Sequence, residues 1–256
     1  MSHERLKRRL ESGDPVTGYW TTLADPAVAE LAAGTGFDFV VVDTEHTPTT
    51  LETVADSLRA VDAATGDAAG VVRAPWNDPV RLKRLLDLDP AGVIVPMVST
   101  PGEAADFVAA TRYPPRGVRG IGVGRSADYG RDVAGQVERD DADLVRVAQI
   151  ETEEGVDHAE EIAAVDGLDA LFVGPADLSA ALGSLGDYDE GFEESVSRVL
   201  DAGEQTGTPV GTLATSDADV ERWVASGFDF VVCGVDVLDL IRGADAALEA
   251  HEASRE

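Results

Sequence analysis

Lysine is nearly absent from this chain: of 20 basic residues only Lys7 and Lys83 are lysine. Lys7 falls in an N-terminal helical stretch, and Lys83 follows Arg81 on the helical segment after the third apolar run. Neither stands on the inner face of a strand, which excludes chemistry through a lysine Schiff base. The single cysteine, Cys233, excludes an internal disulfide; inside an apolar run, it reads as buried filler in a reducing compartment. No 18-residue apolar segment occurs, and MSHERLKRRLESG at the N-terminus lacks the apolar stretch of a secretory signal. The expectation is a soluble, cytoplasmic protein.

Positive charge is also scarce. Asp and Glu number 49, giving a formal net charge of −29, and such a surface repels nucleic acid and anionic membrane. The acid is scattered through helix faces (Glu151–Glu154, Glu160–Glu161, Asp187–Glu194) rather than gathered in one place. Scatter and the dearth of lysine favour solvation in a salt-adapted cytoplasm over a docking site for a cationic partner. With 27% charged and 44% hydrophobic residues the composition is otherwise that of a globular protein, read as one domain over residues 1–256.

Eight short apolar runs punctuate the chain, near 17–23, 37–43, 69–73, 92–97, 144–151, 169–174, 209–214 and 228–234. Most are continuous rather than alternating, as in strands buried on both faces. Amphipathic segments closed by glycine lie between them, and GFDFVV occurs twice, at 36–41 and 227–232, as a repeated helix-to-strand joint. Eight strand–helix units in this length predict an α/β fold of the (β/α)8 TIM-barrel type. The longest stretch without a strand, 99–143, predicts a helix (PGEAADFVAATR) and then a Gly-, Pro- and Arg-rich ordered loop over the barrel mouth.

In such a barrel, chemistry gathers just past the strand ends. Asp43, Glu45 and His46 follow the second run, Arg73 ends the third, and Gln149 and Glu151 close the fifth. Gly174, Pro175, Ala176 and Asp177 follow the sixth. Taken singly, Asp177 could be a helix N-cap, His46 a surface histidine and Arg73 a partner for a rim carboxylate. Their joint occurrence on one rim argues for an active site. Two carboxylates with no cysteine suit a hard divalent ion, Mg²⁺ or Mn²⁺, with Co²⁺ a further option. The backbone N–H groups of Gly174–Asp177 open a helix and attract a carboxylate. Arg73 can polarise an enolate oxygen, and His46 can act as base. Together these groups suit stabilisation of an enolate derived from a 2-oxo acid.

The segments GFDFVVVDTEH (36–46), VVRAPWNDP (71–79), RLLDLDPAGVIVPMV (84–98), ATRYPPRGVRGIG (110–122), QIET (149–152) and VGPADLS (173–179) closely resemble the HpcH/HpaI aldolase family. The resemblance runs in order through nearly the whole chain. It implies a barrel of the phosphoenolpyruvate/pyruvate type with a swapped C-terminal helix, assembled as a homohexamer. It also implies a metal-dependent lyase acting on a small 2-oxo acid and releasing an aldehyde. Carried over by motif, Glu151 and Asp177 resemble the metal ligands and Arg73 the group on the pyruvyl oxygen. His46 resembles the base, with Asp87 paired to it and Asp43 and Glu45 behind. Gln149 and Gly174, Pro175 and Ala176 resemble the pyruvate pocket, Trp20 and Leu213 the wall facing the aldehyde. The loop 119–125 then covers the mouth. The segments LADPA (23–27) and TLATSDA (212–218) match less well and leave the aldehyde unnamed. Three alternatives stay open: a CoA-linked lyase of the citrate-lyase type, served by Arg116, Arg119 and Arg125; a phosphoenolpyruvate-type mutase or hydrolase, for which no segment beyond the rim offers a phosphoryl-transfer nucleophile; and a catalytically silent barrel used as a binding protein.

Overall fold

The computed structural model describes residues 2–255. Eight parallel strands close into a barrel in sequence order: β1 (Val16–Thr21), β2 (Phe39–Asp43), β3 (Ala69–Arg73), β4 (Gly92–Val95), β5 (Val145–Ile150), β6 (Ala170–Val173), β7 (Val210–Leu213) and β8 (Phe230–Val235). All eight coincide with the apolar runs to within two residues at most ends, because a strand covered on both faces must be apolar throughout.

Helices surround them: α1 (Ser2–Ser12), α2 (Pro26–Gly34), α3 (Leu51–Ala63), α4 (Pro79–Leu86), α5 (Pro101–Thr111), α6 (Val133–Asp143), α7 (Glu153–Asp157), α8 (Ala159–Ala163), α9 (Pro175–Ala181), α10 (Glu190–Thr206), α11 (Asp217–Ser226) and α12 (Asp236–Ala253). The architecture is a (β/α)8 TIM barrel. Four helices begin with proline directly after a cap, at Asp25, Asp78, Thr100 and Gly174, where a missing N–H costs nothing.

The repeated GFDF joint has a structural cause. Asp38, just before β2, accepts the N–H of Thr17, the second residue of β1 (2.9 Å), and Asp229, just before β8, accepts that of Val210, the first residue of β7 (2.8 Å). Asp169 does the same for β5 at Arg146 (2.8 Å). Each aspartate satisfies a strand-start donor that no neighbouring strand reaches.

Inside the barrel, Phe39 and Phe230 fill space left by glycines on adjoining strands. A Cβ at Gly18 would stand 2.3 Å from Phe39, and one at Gly211 would stand 2.1 Å from Phe230. Leu6 and Leu10 of α1 join this inner cluster with Val16, Ala69 and Val145 at the strand starts, and so plug the N-terminal end. The opposite end, at the strand C-termini, stays open.

Two expectations for 99–143 change. The segment carries a second helix, α6, and a short 3₁₀ turn over Arg125–Gly130. Only Gln136 of α6 is buried, so VAGQVERDDAD shows no apolar stripe to read. Nor does the loop cover the mouth of its own barrel. Arg119 pairs with Asp87 at the end of α4 and with Asp140 of α6, while Arg125 donates to the Leu88 carbonyl (3.2 Å). These partners precede strands β4 and β5, so the loop lies toward the N-terminal face.

Candidate active site

The strand register aligns the site before any side chain is considered. Asp43 and Arg73 are paired positions at the ends of β2 and β3, and Ile150 pairs with Val173 at the ends of β5 and β6. Arg73 is buried and donates through Nε and Nη2 to both oxygens of Asp43 (2.8 and 2.7 Å), a bidentate fork. Its Nη1 lies 2.8 Å from Glu45, and its guanidinium stacks 4.8 Å from the Trp20 ring centroid. Burial alone would pull the Arg73 pKa down, but Asp43 and Glu45 raise it overall, so the cation is secure. Burial also raises the Glu45 carboxyl, against the pull of Arg73.

His46 stands exposed on the β2–α3 loop, with Nε2 3.6 Å from Glu45. Glu45 thus bridges His46 and Arg73. Asp87 does not reach His46 within the chain. It caps the C-terminal end of α4, which runs antiparallel to the strands and ends at the opposite face. Within one chain His46 thus faces Glu45, and the His46–Asp87 pair that the resemblance implies is not formed there.

Across the mouth, Glu151 is almost fully buried. It accepts from the Met97 N–H (2.7 Å) and from the Gln149 amide. Burial pushes its pKa up to about 7, with the charge of Asp177 adding to the rise and the two donors opposing it. The Gln149 amide oxygen, Oε1, is buried without any partner. Gly174 makes this packing possible: a Cβ there would lie 2.5 Å from Glu151 and 2.8 Å from Gln149.

Asp177 is exposed at the third position of α9, where Gly174 is the N-cap, so its carboxylate does no capping work. The expected row of four N–H donors narrows. Gly174 N–H donates to Ile150 and Pro175 has none, which leaves Ala176 and Asp177.

A cavity of about 450 Å³ joins these parts. Trp20, Asp43, His46, Arg73, Gln149, Gly174, Pro175, Ala176, Asp177 and Leu213 all line it. Glu151 sits immediately behind Gly174. A larger groove of about 570 Å³ between α3 and α4 carries neither His46 nor the paired carboxylates.

Sequence reasoning missed Met97. It adopts a left-handed backbone (φ 57°), rare and strained for a side chain of this kind, and so aims its N–H at Glu151. Its place just past β4 was the available signal, but its contribution comes from the backbone, which residue type does not advertise. Thr22, Thr215, Tyr188 and Val235 also line the cavity and went unremarked.

Among the described residues no three His, Cys, Asp or Glu side chains cluster closely enough to hold an ion. The donor set is therefore two carboxylates, the buried Glu151 and the exposed Asp177. That set fits Mg²⁺ or Mn²⁺, which keep several waters and accept one or two protein carboxylates plus substrate oxygens. An acid held so far from its usual range and an orphaned amide oxygen beside it are what a cation would relieve.

The chain matches the HpcH/HpaI aldolase/citrate lyase family over residues 16–243. It is 40% identical over 248 residues to a 4-hydroxy-2-oxovalerate aldolase of Novosphingobium aromaticivorans, covering 95% of this chain and 92% of that protein. A 4-hydroxy-2-oxo-heptane-1,7-dioate aldolase of Salmonella arizonae is 41% identical, with 94% and 92% covered. Among solved structures, an HpcH/HpaI aldolase/citrate lyase family protein from Burkholderia cenocepacia superposes with a TM-score of 0.93 at 37% identity. That match covers 97% of this chain and 99% of the other.

Proposed function

This chain belongs to the HpcH/HpaI aldolase/citrate lyase family, and from that premise we propose how its site cleaves a 4-hydroxy-2-oxo acid to pyruvate and an aldehyde. It is an aldehyde-lyase. Glu151 and Asp177 are the ligands of a divalent ion, Mg²⁺ or Mn²⁺. When bound, that ion supplies a Lewis acid for the oxygens of the 2-oxo acid.

The chain's own residues do the rest. Arg73, held by Asp43 and Glu45, aims its cation at the 2-oxo oxygen, where negative charge grows as the C3–C4 bond breaks. The N–H groups of Ala176 and Asp177 and the Gln149 amide seat the substrate carboxylate end. His46, turned by Glu45, takes the proton from the C4 hydroxyl, whose oxygen becomes the aldehyde carbonyl. The electron pair of the broken bond forms the enolate, which gains a proton at C3 to give pyruvate. Reversal of these steps joins pyruvate to an aldehyde.

The observation that carries the metal reading is Glu151, a buried acid beside a second carboxylate and an orphaned amide oxygen. Millimolar Mg²⁺ or Mn²⁺ is expected to raise the melting temperature of the wild-type protein and to leave Glu151→Gln and Asp177→Ala unmoved. Equal shifts in all three would refute the ligand assignment.

The CoA-linked alternative loses its support. Arg116 pairs with Asp141, Arg119 is buried against Asp140, and Arg125 pairs with Asp62, all away from the cavity. The assembly we favour is a homohexamer joined through α12, supported by the exposed Leu238, Leu240, Ile241 and Leu248 on that helix. A salt-adapted cytoplasm is the setting that the acidic surface supports.

A further inference from the structure

The barrel order divides the mouth into two halves. The groups assigned to the pyruvate end come from β3, β5 and β6. Because β1 stands opposite β5 in a closed eight-strand barrel, the wall formed by β7, β8 and β1 is left for the atoms beyond C4. Trp20, Thr22, Leu213, Thr215 and Val235 line that wall.

Beside the Trp20 indole N–H, the polar side-chain groups of this wall are two hydroxyls, and both are committed. Thr22 Oγ1 lies 2.8 Å from Asp236, and Thr215 Oγ1 lies 2.9 Å from Asp219. An ionised carboxylate can only accept, so each threonine must be the donor. These bonds are built in rather than incidental. Asp236 is buried, and besides the Thr22 hydroxyl it accepts the backbone N–H groups of Thr22, Leu23 and Val237 (2.7–3.0 Å). The irregular β1–β8 register between Gly18 and Trp20 lies just before this clasp, and Tyr19 donates to Asp239 one turn further along α12 (2.7 Å). Asp219 likewise accepts both the N–H and the hydroxyl of Thr215. With their protons given to the aspartates, the hydroxyls of Thr22 and Thr215 have only lone pairs left to offer at the cavity they line.

No free cation offsets them. Of the two basic residues in the lining, Arg73 is held by Asp43 and Glu45, and His46 lies 3.6 Å from Glu45. Arg222 lies nearby but stacks over Tyr188 (5.4 Å) and pairs with Glu193 (3.6 Å).

We propose that the Asp236–Thr22 and Asp219–Thr215 pairs make the acceptor wall a hydrogen-bond-accepting surface, selecting neutral hydroxyaldehydes over semialdehydes that carry a second carboxylate. A hydroxyl on the aldehyde donates to Thr22 or Thr215. A second carboxylate meets lone pairs backed by two anions, and a plain alkyl chain offers those lone pairs no donor. The inference rests on the aldolase reading above and names the class of its second product.

The test is condensation of pyruvate with glyceraldehyde, butanal and succinic semialdehyde by the full-length enzyme with Mg²⁺. The readout is the ratio of kcat/KM values within each protein. The wild type is expected to favour glyceraldehyde over each of the others by about tenfold or more. Thr22→Val with Thr215→Val is expected to bring the glyceraldehyde-to-butanal ratio close to one. Because each ratio is internal to one protein, a general loss of activity cancels. Should the double variant fail to fold, each single variant is expected to lower the ratio in part, and the wild-type order alone remains decisive. A wild type that prefers succinic semialdehyde, or a ratio untouched by the threonine substitutions, would overturn the inference and leave the aldolase reading standing. No condensation with any aldehyde, together with no pyruvate released from any 4-hydroxy-2-oxo acid, would remove both.

Discussion

At the scale of single residues, the site depends on one atom that is missing. Gly174 lets Glu151 and Gln149 pack against the start of α9, and any Cβ there meets Glu151 at 2.5 Å. Gly174→Ala is expected to leave the barrel folded, since the position is on the rim, yet to lower kcat by about 100-fold through displacement of Glu151. Circular dichroism and turnover measured side by side check this; unchanged turnover would show that Glu151 need not stand where it does. Most site positions were legible in the sequence, because chemistry past a strand end is confined to a few residues per strand. Glu45 was legible as a residue but not in its use, since the conformation of the loop 44–50 decides which way its carboxylate turns. Asp87 entered through the family resemblance alone, and within the chain α4 carries it to the far face. Met97 was invisible, since its N–H and its left-handed backbone serve Glu151 without its side chain.

At the scale of elements, the strands read clearly and the last helix before β5 did not. A parallel strand in a barrel is covered on both sides, so its sequence is an unbroken apolar run that little else imitates. The helix α6 buries only Gln136, and an acidic helix without an apolar face resembles a loop. Interdigitation inside the barrel could not be read from one strand at a time, because it pairs a glycine on one strand with a phenylalanine on the next. Gly211→Ala should therefore destabilise the protein by about 1–3 kcal/mol through overpacking against Phe230. Urea denaturation is the check, and the loss should shrink when Phe230 is shortened to leucine in the same protein. Additive losses in the double variant would mean the two side chains do not compete for that space.

At the scale of the whole molecule, the charge of −29 dominates everything outside the barrel. At about 0.1 M salt the Debye length is about 10 Å and like charges on neighbouring helices repel; at about 1 M it falls to about 3 Å and the repulsion is largely gone. The melting temperature is accordingly expected to climb as KCl rises across this range, and a flat profile would refute the salt-adapted reading. The same field surrounds a mouth whose lining arginine, Arg73, is already paired with Asp43 and Glu45. No helix among the described residues is long and apolar enough to cross a membrane. The central claim, that Glu151 and Asp177 hold a divalent ion on which 4-hydroxy-2-oxo acid cleavage depends, is tested most directly by pyruvate release. The substrates are a panel of 4-hydroxy-2-oxo acids, assayed before chelation, after chelation and after restoring Mg²⁺ or Mn²⁺. The account predicts release that chelator abolishes and the ion restores in the wild type, with no restoration in Glu151→Gln. Pyruvate release that persists in the chelated wild type, or that Mg²⁺ or Mn²⁺ restores in Glu151→Gln, would contradict it.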